Sequence, residues 1–177
     1  MRDRYYFFYF CLACFTTLLA FGVIVFGAYT RLTDAGLGCP DWPGCYGHWV
    51  VSTTTLQPEK AWTEMIHRYL AGSLGIMILM LALLAIRARL ILPFLLLILV
   101  IFQALLGMWT VTLKLLPPVV LAHLLGGMTT LALLWWLVLV LRAYGKQKNH
   151  RADILPCLPL DNSDRLVRKL FSFLRAR

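Results

Sequence analysis

Four stretches of 23 or 24 residues, Phe7–Tyr29, Thr63–Ile86, Leu90–Leu113 and Val119–Leu141, are apolar almost throughout. About 20 such residues are enough for a helix to cross the hydrocarbon core of a bilayer. At that depth no water is available to the backbone, so only helices and closed barrels are tolerated. Barrel strands alternate apolar and polar residues, and none of the four runs does so. The sequence therefore predicts an all-α integral membrane protein, a bundle of four transmembrane helices. A composition of 60% hydrophobic and 14% charged residues also excludes an ordinary soluble domain and a disordered chain.

The net charge of +9 would suggest nucleic acid in a soluble protein; here its distribution reads as topology instead. Arg2 and Arg4 precede the first run, Arg87 and Arg89 separate the second from the third, and nine cations follow the fourth. Only Arg31, Lys60, Arg68 and Lys114 lie on the other side. An excess of cations marks the cytoplasmic face, so both termini are expected there and the loop 30–62 outside. Trp42, Trp49, Trp62 and Trp109 then gather at the outer face as an aromatic belt. The first run exceeds the apolar core of a signal peptide, about 7–15 residues, and reads as an uncleaved anchor. Short links after the second and third runs require antiparallel neighbours. Residues 143–160 read as a polar linker. Residues 161–177 form either a basic amphipathic helix on the anionic leaflet or a frayed tail.

His67 and His123 are the strongest chemical signal. Each sits about five residues past the expected start of its helix, which at about 1.5 Å per residue places both roughly 7 Å below the outer interface. Ionisable residues inside a membrane are costly and point to function. Two imidazoles at one depth on different helices can clamp a planar metallocofactor, and haem iron takes axial histidines. Interhelical hydrogen bonding is the competing explanation. A weak repeat supports the pairing: Gly27-Ala-Tyr-Thr30 closes the first run, Gly107-Met-Trp-Thr110 closes the third, and each precedes a histidine-bearing run.

Glu64 precedes His67 by one turn, where a carboxylate can accept a proton or stabilise positive charge beside a His-bound ring. The helix dipole alone also accounts for an acid there. Cys39 and Cys45 lie in the external loop, where a disulfide is permitted, either structural or redox-active. Zinc is disfavoured, because His48 is the only further soft ligand nearby. Cys11 and Cys14 read as small packing residues within the first helix, and Cys157 as inert. Arg31 and Arg68 are candidates for pairing with ligand carboxylates such as haem propionates, or else snorkel to the interface. Gln103 can hydrogen-bond across the bundle and receives no chemical role.

Taken together, Gly27 through Cys45, Glu64-Met-Ile-His-Arg68, Gln103 through Thr112 and Ala122-His123 resemble the haem A synthase family. The resemblance covers roughly residues 7–141 and leaves out the basic tail. It implies a bacterial inner-membrane oxidoreductase that converts the C8 methyl group of haem O to the formyl group of haem A, for aa3-type cytochrome c oxidase, with the formyl oxygen drawn from water. It also implies haem iron held by His67 and His123, activity dependent on Glu64, and a Cys39–Cys45 disulfide. Most bacterial members resemble two fused four-helix halves, one for the substrate haem and one for a haem b cofactor. This chain resembles the first half. The expected partners are therefore haem O, the lipid membrane, haem O synthase, and either further copies of the chain or a missing C-terminal half. A non-catalytic haem-binding or electron-transfer membrane protein is the alternative.

Overall fold

The structure, a computed structural model, describes residues 2–51, 57–88 and 90–154. The expected amphipathic helix 161–177 and Cys157 lie outside the described residues. Four helices follow in order: α1 (Arg2–Leu32), α2 (Pro58–Ala88), α3 (Leu92–Thr112) and α4 (Pro117–Ile154). All four are long and apolar enough to cross a membrane. Each packs against its sequence neighbours, and α1 closes the ring on α4. The result is an up-and-down four-helix bundle.

Prolines open three of the helices. Pro58 begins α2, Pro93 stands at the first turn of α3, and Pro117 begins α4. A first-turn proline loses no hydrogen bond and arrives with a helical φ. The ends of α1 and α3 resemble each other closely. The carbonyl of Thr30 accepts the N–H of Ala35 at 3.0 Å, and that of Thr110 accepts the N–H of Leu115 at 2.8 Å. Both are reversals from carbonyl i to N–H i+5, built on left-handed residues, Asp34 in one and Lys114 with Leu115 in the other. This wrapping satisfies carbonyls that a helix end leaves open. The tetrapeptide repeat thus marks two equivalent helix ends.

The main core lies toward the terminal end of the bundle. Ala13 and Ala20 of α1, Ile78, Leu81 and Ala85 of α2, Leu96 of α3, and Leu134 and Leu137 of α4 are all essentially inaccessible. Small residues on α1 let neighbouring backbones approach, which is how membrane helices gain packing energy where lipid is as apolar as leucine. Tyrosine hydroxyls tie the same end together. Tyr5 donates to the Leu84 carbonyl at 2.5 Å and Tyr9 to that of Leu81 at 3.3 Å, while Tyr6 reaches across to Leu141 on α4. Phenylalanine, leucine and tryptophan side chains cover the outside, with Phe7, Leu18, Ile98, Trp135 and Trp136 well exposed. That exterior suits a hydrocarbon solvent.

Two boundaries differ from the sequence reading. Helix α4 runs to Ile154 instead of giving way to a linker after Leu141. From Arg142 to Ile154 no proline or turn sequence interrupts it, and lysine, arginine and glutamine are good helix formers in water. Helix α2 starts at Pro58, more than a turn before Thr63. His67 therefore stands nine residues after the start of its helix and His123 six after the start of its own, so equal distance from the helix start does not give their depth.

Candidate functional site

The histidine positions are set by glycines on the preceding helices. His67 of α2 lies against Gly27 of α1, where an added Cβ would stand 2.7 Å from Cε1 of the ring. His123 of α4 lies against Gly107 of α3, with the corresponding distance 3.4 Å. Each glycine is five residues before the last residue of its helix. The two rings are therefore registered by the repeat, each on the bare backbone of its hairpin partner. They are close enough for charge on one to act on the other. Nδ1 of both rings is buried without a hydrogen-bond partner. The carbonyl of Gln103 approaches the His123 ring without completing a hydrogen bond of ordinary geometry.

Above this pair the loop from Thr33 to Val51 folds down onto α2. Cys39 and Cys45 form a disulfide and are buried with Val51, Ala61 and Met65 in a second small core. A Cβ on Gly38 would stand 2.5 to 2.7 Å from the backbone of Lys60 and Ala61, so glycine is what permits the loop to touch the helix. The strand-like pairing of Cys45 with His48, at 2.8 and 3.1 Å, closes the turn.

Glu64 and Arg68 fasten this loop. The Glu64 side chain is buried; one carboxylate oxygen accepts the N–H of Cys39 at 2.9 Å and the other pairs with Arg68. The Arg68 guanidinium also donates to the carbonyls of Asp41 at 2.9 Å, Pro43 at 3.2 Å and Gly44 at 2.5 Å. Asp41 in turn accepts the N–H groups of Tyr46 and Gly47, both at 2.7 Å. Burial acts to raise the Asp41 carboxyl, but those two N–H groups and the Arg68 charge outweigh it and hold the group below the usual carboxylate range. Tyr69 donates to the Trp49 carbonyl, fixing the far side of the loop.

The structure thus groups the residues singled out from sequence into two layers. His67 and His123 form the inner layer. Glu64, one helical turn before His67 on α2, the Arg68 guanidinium and the disulfide of the loop form the outer one. The Glu64 carboxylate is given to the loop and to Arg68. Arg31 is exposed near the end of α1, and Trp42, Trp49, Trp62 and Trp109 are partly exposed at the same end of the bundle. Cys11 and Cys14 sit far along α1 toward the other end, as free thiols. Sequence reasoning missed the seating role of Gly27 and Gly107, although the repeat contained both. It also gave no weight to Gln103, whose side chain is 8% exposed with Nε2 unpaired.

Comparison with known proteins adds an independent observation. Residues 10–158 match the profile of a family described as cytochrome oxidase assembly protein, COX15-CtaA. The chain is 52% identical over 134 residues to a haem A synthase of Shewanella oneidensis, covering 66% of this chain and 41% of that protein. It is 42% identical over 74 residues to a haem A synthase of Geobacillus kaustophilus, covering 41% of this chain and 22% of the relative. The chain thus spans well under half the length of these curated relatives. No solved structure matches it.

Proposed function

The chain belongs to the COX15-CtaA family of cytochrome oxidase assembly proteins, and from that premise we propose that it is a haem A synthase-type oxidoreductase of the bacterial inner membrane. In this reading it converts the C8 methyl group of haem O to the formyl group of haem A for an aa3-type oxidase. The observation that carries the proposal is the pair of half-buried imidazoles on α2 and α4, each seated on a glycine and each with a buried, unpaired Nδ1. Such a donor set suits a planar ring ligated on both faces. The similarity to two haem A synthases supports the choice of reaction.

Bound haem would supply a doubly ligated iron and the ring methyl group that is oxidised. His67 and His123 would hold the iron and fix the ring between the two hairpins. Exposed Arg31 is the group proposed to meet the propionates. Arg68 already donates to three carbonyls and to Glu64, so it would contribute its positive charge more than new contacts. Glu64 is proposed to take up a proton or to stabilise positive charge from one turn above His67. The disulfide-closed loop would cover this side of the bundle and limit water to what the reaction needs. Haem O synthase would deliver the substrate. A second copy of the chain, or a further four-helix half, would hold a haem b.

A membrane haem protein that binds or passes electrons without oxidising the ring is the second reading. It is favoured by the engagement of the Glu64 carboxylate with the Cys39 N–H and with Arg68, which gives it a structural task. Expression in a bacterial host that supplies haem O, followed by extraction and chromatography of the bound haem, separates the two. Haem A in the extract is the expected result. Haem O or haem B alone would leave a binder, and the absence of any low-spin haem spectrum would eliminate both readings.

A further inference from the structure

Gln103 stands one turn from Gly107 on α3 and so on the same side of the helix. Its side chain is 8% exposed, and Nε2 has no hydrogen-bond partner. The amide reaches α4 at Gly126, where an added Cβ would collide with it. Glycine at that position is therefore what admits the amide into the α3–α4 seam. Gly126 follows His123 by one turn, and Gly107 seats the His123 ring. On both helices the amide thus lies one turn past the histidine, farther from the disulfide loop.

A buried amide N–H without an acceptor is costly anywhere, and in a bilayer no water is at hand to relieve it. A leucine at position 103 would avoid the cost. No backbone or side-chain oxygen of the described residues accepts it; the hydroxyls of Thr110, Thr129 and Thr130 are turned to carbonyls of their own helices. The amide is neutral and carries no cation beside it, so its complement is a neutral oxygen, not a carboxylate. The cations Arg31 and Arg68 stand at the loop end, where the propionates of a clamped ring would belong. The opposite edge of the ring would then face the amide. On haem O that edge bears a hydroxyl, on the side-chain carbon bonded to the ring and next to the carbon that carries the farnesyl chain; haem B has an unsubstituted vinyl group there.

We propose that the Gln103 amide hydrogen-bonds this hydroxyl and thereby selects haem O over haem B. The inference rests on the reading of His67 and His123 as ligands for a haem substrate, and it adds the means of choosing which haem. A site built to bond a substrate hydroxyl rejects the analogue that lacks it, because its own polar group is left unpaired.

The test is absorbance titration of the purified full chain in detergent with haem O and, separately, with haem B. The wild type is expected to bind haem O more tightly. Gln103→Leu should weaken haem O binding by about tenfold, the order of one net hydrogen bond, and leave haem B unchanged or improved. Gly126→Ala keeps the glutamine but displaces its amide, and should erase the same preference. In both variants the low-spin spectrum should persist, since His67 and His123 are untouched. Equal losses for the two haems in Gln103→Leu would overturn the proposal and make the residue a support for His123. Equal affinities in the wild type would overturn it as well. If the wild type takes up neither haem, the ligand reading itself fails and the proposal falls with it.

Discussion

An added Cβ on Gly27 would stand 2.7 Å from Cε1 of His67, whereas the matching distance from Gly107 to His123 is 3.4 Å. Real Cβ atoms essentially never approach as closely as the first value; the second is ordinary contact. Gly27→Ala must therefore displace the His67 ring, at a cost of about 1–3 kcal/mol by overpacking. Haem affinity is expected to fall by roughly tenfold or more in Gly27→Ala and much less in Gly107→Ala. Titration with haem O ranks the two. The reverse order would contradict the seating of His67.

Glu64 tests whether the outer layer does more than hold the loop. Glu64→Gln keeps an oxygen for the Cys39 N–H and removes the charge opposite Arg68. It is expected to retain low-spin haem and lose haem A formation. Glu64→Ala also takes the acceptor from the buried Cys39 N–H, which should lower stability by about 1–3 kcal/mol. Full turnover in Glu64→Gln would remove it from the chemistry and leave it a structural clamp.

The loop should respond to acid through Asp41. Its carboxyl titrates lower in the folded protein than in the free side chain, whose value is about 3.9. A depressed carboxyl adds stability that is complete above the unfolded value and disappears as the pH falls through the folded one. The loop is thus expected to hold from neutral pH to about pH 4 and to loosen below it. Reduction of the Cys39–Cys45 disulfide by a phosphine should then accelerate in acid. Asp41→Asn should react faster at neutral pH and lose the acid step. A wild-type reduction rate with no acid step would refute the role given to Asp41.

Orientation is the simplest expectation to check. Thirteen of the 17 cations lie in the two terminal segments and the α2–α3 link, from which a cytoplasmic position of those segments is expected. A phosphatase fused within the loop after α1 should be active, and one fused after α4 inactive. Activity from the second fusion alone would invert the topology.

The four spans were legible because hydropathy is local, and a run such as Leu92–Thr112 needs no partner to declare itself. The histidines were legible because polar residues inside such runs are conspicuous. The fastening of the loop was not. Arg68 is bound by the backbone carbonyls of Asp41, Pro43 and Gly44, and a carbonyl is present at every position of a chain, so its use leaves no mark in sequence. The same holds for the Cys39 N–H that meets Glu64. The depth of the histidines was inferred from helix starts, yet α2 and α4 begin at different distances from them. Registration comes instead from the glycines of the repeat, a feature visible in the sequence whose meaning depends on which helices touch.

Gly27 and His67 belong to consecutive helices, and so do Gly107 and His123. Each imidazole is therefore posed within its own helical hairpin, before the two hairpins need to meet. A ring bound by both histidines would act as a cross-tie between two halves that are each already finished. Removing one histidine should then cost the tie and leave both halves standing.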